Sequence, residues 1–80
     1  MHFAMWLQEQ LYTRKLKSKK FADEIGIHPS TVSHWLKGKR EPDSTNLKKT
    51  LDFFCSNMSQ KRVHLHWIYY GKPVYTIKKG

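Results

Sequence analysis

Eighty residues make one small domain that buries only about 60–65% of its unfolded surface, too economical a core to surround a large catalytic cleft. Fifteen Lys and Arg against six Asp and Glu leave a net charge of +9, the electrostatic footprint of a protein that binds a polyanion. The single cysteine, Cys55, excludes an intramolecular disulfide framework and a multi-cysteine zinc site and suits a reducing cytosol. With no apolar run of about 18 residues and no leader-like segment, neither a membrane span nor a signal peptide is expected.

In chain order, Phe3, Met5, Trp6, Leu7, Leu11, Tyr12 and Leu16 recur at helical spacings between Gln8, Glu9, Gln10, Arg14 and Lys15, which predicts an amphipathic helix over roughly 3–16. A second helix is expected from Ser18, whose hydroxyl can accept from first-turn amides, to Ile25, closing at Gly26 in a left-handed conformation that carries no Cβ penalty. Pro29 has no N–H to lose in a first helical turn, so it marks the start of a third helix, about 29–37. Two helices joined by a short glycine turn read as a helix-turn-helix unit, whose second helix enters the DNA major groove.

Gly38-Lys39-Arg40-Glu41-Pro42-Asp43 is a loop by composition, and Asp43 or Ser44 caps a fourth helix over about 45–57, with Leu47, Leu51, Phe54 and Cys55 on its apolar face. Ser56 to Lys61 reads as a polar connection. Val63, Leu65 and Trp67 then alternate with His64 and His66, a pattern open to a strand or to a short helix ending at Gly71. The tail Pro73-Val74-Tyr75-Thr76-Ile77 has β character, and 78–80 should fray.

The Ser18 to Lys37 segment resembles the helix-turn-helix of the lambdoid phage repressor and Cro family. The resemblance rests on the small residue Ala22 facing the second helix of the pair, the turn glycine Gly26, and apolar Phe21, Ile25, Ile27, Val32 and Trp35 at the packing positions. The loop 38–42 looks like that family's turn after the recognition helix, and Trp67-Ile68-Tyr69-Tyr70-Gly71 is similar to the signature that closes its fifth helix. The resemblance implies an all-α, five-helix lambda-repressor-like domain over 1–72 and favours the helical reading of 63–70. It leaves 73–80 as a tail, either a dimerisation strand or a linker.

If Phe21, Ile25, Val32 and Trp35 face inward, then Ser30, Thr31, Ser33, His34 and Lys37 face outward. Carried over position by position, the family's base-reading sites fall on His28, Pro29, Ser30 and His34, flanked by Ser33 and Lys37. Pro29 departs from the pattern, since it offers only apolar contact and shifts hydrogen bonding onto Ser30, His34 and Thr31. Lys19, Lys20, Lys39 and Arg40, with Lys37 and the Ser18 hydroxyl, lie where the family contacts phosphates.

The resemblance therefore implies a sequence-specific regulator of transcription, a phage or prophage repressor or Cro-like protein. It would bind a near-palindromic double-stranded operator as a homodimer through 63–77, on the nucleoid in the cytoplasm of a bacterial host. The alternative is an antitoxin-type interaction module that also binds its own promoter, favoured if the C-terminal segment exposes an apolar patch. A membrane-surface role is disfavoured because the basic residues are spread over several elements. No cofactor, metal or enzymatic activity is expected: His64-x-His66 lacks further ligands, Cys55 lies on an apolar face, and Trp6, Trp35 and Trp67 read as core anchors.

Overall fold

A computed structural model describes residues 2–71, and among these the chain forms five helices: α1 (Phe3–Thr13), α2 (Ser18–Ile25), α3 (Pro29–Leu36), α4 (Ser44–Phe54) and α5 (Met58–Tyr70). The expected all-α fold is present. The tail 73–80, expected to pair as a strand or act as a linker, lies outside the described residues.

The first three helices end alike. Each passes into a left-handed residue, Lys15, Gly26 or Gly38, at φ of 53°, 72° and 74°. The amide of that residue and the next one return to two carbonyls of the last turn. At α3 these bonds are Gly38 N–H to Trp35 O (3.1 Å) and Lys39 N–H to His34 O (2.9 Å). At α1 they are Lys15 N–H to Tyr12 O (3.1 Å) and Leu16 N–H to Leu11 O (2.9 Å), which stops the helix at Thr13 instead of residue 16.

That closure also corrects the start of α2. Lys17, in extended conformation, is the N-cap, its carbonyl accepting from Phe21 N–H at 2.9 Å, and no side chain caps the helix. Ser18 is already helical and does not cap. Asp43 caps α4 through Oδ1, which accepts from Asn46 N–H at 2.9 Å. The helix then stops at Phe54, short of the expected residue 57, because Cys55 turns extended and Ser56-Asn57 is used to start α5. Asn57 Oδ1 accepts from Gln60 N–H (2.9 Å), while Gln60 Oε1 accepts from the Ser56 amide (2.8 Å). This reciprocal arrangement puts most of the expected connection 56–61 inside α5. The alternation over 63–67 is helical, with Trp67 and Ile68 buried and His64 half-buried.

α1 is the hub of the core, packing against α3 and α5. Its Phe3 meets Trp35 of α3 edge-on at 5.5 Å, and its Trp6 meets Phe54 of α4 edge-on at 5.6 Å. Phe21 of α2 stacks on Phe54 at 5.2 Å. All three tryptophans are buried, as their apolar spacing implied. Polar side chains of α1 complete the joints. Gln8 donates to the Leu36 carbonyl at the end of α3 (2.9 Å). Arg14 donates to the Phe54 carbonyl at the end of α4 (3.0 Å) while its guanidinium lies over the Phe54 ring. The buried Trp6 indole N–H donates to His64 Nδ1 at 2.8 Å, tying α1 to α5.

Candidate nucleic-acid interface

α2 and α3 pack against each other, and Ala22 of α2 is fully buried, a methyl group where a larger side chain would need room. Phe21, Val32 and Trp35 seal the pair from inside, while Ile25 and Ile27 pack partly buried against the core. With those positions inward, the opposite face of α3 is presented to solvent.

The base-reading candidates divide along that face. His28, Pro29, Ser30 and Lys37 are exposed; Thr31, Ser33 and His34 are half-buried. Of the exposed residues, His28, Pro29 and Ser30 cluster at the N-terminus of α3, the end from which helices of this kind meet base edges, while Lys37 lies at its other end. His28 is not helical: it is the N-cap of α3, its Nδ1 accepting from Ser30 N–H at 3.1 Å and lying 2.8 Å from Ser30 Oγ. Pro29 occupies N1, where its missing N–H is harmless. Lys37 follows the last residue of α3 and caps it. The sequence signal for the His28 cap is its place before an N1 proline; histidine lies outside the usual capping residues, so composition conceals it.

The phosphate candidates surround this cluster in two places. At the start of α2, Lys19 and Lys20 are exposed and Ser18 is half-buried. That first turn carries no acidic residue and no side-chain cap, so its amides and the positive end of the helix dipole are open to an anion. Lys20 Nζ lies 3.3 Å from Glu24, an exposed i,i+4 pair worth at most about 1 kcal/mol, which a phosphate can displace. After α3, Lys39 and Arg40 are exposed in the loop that follows Gly38.

The remaining chemistry-bearing residues have structural partners. His64 Nδ1 is occupied by the Trp6 indole, and burial, reinforced by the Arg14 charge, holds the imidazole below its ordinary range. Burial pushes the Cys55 thiol up, away from the thiolate a nucleophile needs. Among the described residues no three His, Cys, Asp or Glu side chains converge as metal ligands, and no helix is long and apolar enough to cross a membrane. Val63, Tyr69 and Tyr70 expose apolar surface on α5, as do Met5 and Tyr12 on α1.

A family model described as helix-turn-helix matches residues 7–54, from the first turns of α1 to the last residue of α4. No curated protein and no solved structure matches the chain.

Proposed function

Because the chain belongs to the lambdoid repressor/Cro-type helix-turn-helix family and is by that membership a DNA-binding regulator of transcription, we propose that it is a sequence-specific repressor of phage or prophage type. It lays α3 in the major groove of a near-palindromic operator. The observation that carries this reading is the exposed cluster His28, Pro29 and Ser30 at the N-terminus of α3, flanked by the uncapped, lysine-bearing N-terminus of α2.

In this reading Ser30, His34, Thr31, Ser33 and His28 meet base edges, Pro29 touches a thymine methyl, and Lys37 flanks them. Ser18, Lys19, Lys20, Lys39 and Arg40 hold phosphates, setting register and supplying most of the affinity. Two such domains bind with their recognition helices about 34 Å apart, because one domain reads too few base pairs for genomic specificity. The exposed Val63, Tyr69 and Tyr70 on α5 supply the surface for that pairing. The same exposed residues favour a second reading, an antitoxin-type module whose α5 meets a partner protein while α3 binds the module's own promoter.

Selection of bound sequences from a random DNA pool tests the proposal. A palindromic motif with half-sites one turn apart is expected, and recovery of random sequence would refute it. Ser30→Ala with His34→Ala should abolish preference for the selected motif and leave weak, salt-dependent binding. Equal losses on selected and random DNA would remove these two residues from base reading.

A further inference from the structure

The Ser30 backbone N–H points at His28 Nδ1 from 3.1 Å, and a backbone amide can only donate. Nδ1 therefore presents its lone pair, and the proton of the neutral imidazole sits on Nε2. The Ser30 hydroxyl oxygen lies 2.8 Å from the same Nδ1. Two lone pairs facing each other at that distance would repel, so the hydroxyl proton lies between the atoms and Ser30 donates to His28. A serine without such a contact turns its hydroxyl to suit either kind of partner; Ser30 cannot. Both residues are exposed at the start of α3, and their remaining hydrogen-bonding capacity faces solvent.

We infer that these bonds fix His28 as a donor and Ser30 as an acceptor before DNA arrives, so that the protein selects a G·C pair beneath His28 and an amino-bearing base edge beneath Ser30. The inference rests on the DNA-reading role proposed above and names its chemistry. In the major groove guanine offers two adjacent acceptors, N7 and O6, and no donor. Adenine sets its N6 amine beside N7, and thymine has one acceptor beside a methyl group, so a group that only donates discriminates best in favour of guanine. Ser30, able only to accept, pairs with adenine N6 or cytosine N4.

Two measurements test this. Nitrogen-15 spectra of the imidazoles in the DNA-free protein should show His28 protonated on Nε2 with a bare Nδ1; a proton on Nδ1 overturns the inference without reference to DNA. Pools of selected DNA are then compared for the unsubstituted protein and H28S, whose hydroxyl keeps an acceptor for the Ser30 amide on a side chain too short to place a donor where the imidazole Nε2–H stood. The unsubstituted protein should enrich a G·C pair at one position of each half-site. With H28S that preference should fall by about 3- to 10-fold, while the rest of the motif persists. An A·T pair at the position that responds to H28S, or a motif unchanged by it, overturns the base assignment. A pool with no motif for the unsubstituted protein, beside an Nε2-protonated His28, overturns the base assignment through the function on which it rests.

Discussion

The bond from Trp6 to His64 makes folding depend on one proton. Trp6 is fully buried, so its indole N–H needs an acceptor, and losing that acceptor costs about 1–3 kcal/mol. His64 accepts only while Nδ1 is bare. Burial holds its folded pKa below the unfolded value of 6.5, so below that pH the unfolded chain binds more protons than the folded one. The contribution is therefore complete above pH 6.5 and is lost as pH falls through the interval between the two pKa values. Thermal melts should show Tm dropping on acidification from pH 7 to 5, with a shallower drop for His64→Gln, whose amide oxygen accepts without titrating. Parallel pH profiles for the two proteins would contradict this account. Nothing in the spacing of residues 6 and 64 announces the pair; the sequence shows His64 only as one half of an alternating His-x-His. Such contacts between distant positions become visible only once α1 and α5 are packed together.

Helix ends were legible where glycine marks them and hidden where another residue does the same work. Gly26 and Gly38 identify the ends of α2 and α3, whereas the turn that closes α1 after Thr13 places Lys15 in a conformation that costs a residue with a Cβ roughly 1 kcal/mol. Lys15→Gly should relieve that cost and raise Tm by about 4–8 °C, as a calorimetric melt would show; a lower Tm would mean that the lysine side chain is needed there. The α4/α5 boundary was misplaced for a related reason. Asn57 and Gln60 look like ordinary linker residues until the bonds of the cap tie them together. The α2–α3 pair, by contrast, is readable from sequence alone, because its packing uses fixed residue types at short separations. Ala22→Leu should drive three extra carbons into the helix contact, costing about 1–3 kcal/mol and lowering Tm by about 5–20 °C. DNA binding should fail with it, and a variant with unchanged Tm and full DNA affinity would disprove the close approach at this residue.

Charge acts on the molecule as a whole, and it affects the two proposed associations in opposite senses, resisting pairing of two chains and favouring DNA. Two chains of +9 repel, so pairing in free solution should strengthen as salt screens them, with a Debye length of about 10 Å at 0.1 M. DNA binding should weaken over the same range, since each phosphate neutralised contributes a slope of about −0.9 in log K against log salt. Lys19, Lys20, Lys37, Lys39 and Arg40 would give a slope of roughly −4 to −5 for one domain and about twice that for a pair bound together. The slope therefore counts domains as well as contacts. Binding titrations on a selected operator between 50 and 200 mM salt should fall near the steeper value, while sedimentation of the DNA-free protein should show more self-association at the upper end. Lys39→Ala should flatten the slope by about 2 if two domains are bound and about 1 if one is, lowering affinity for selected and random DNA alike. A loss confined to the selected sequence would make Lys39 a base reader, and an unchanged slope would remove it from the phosphate contacts.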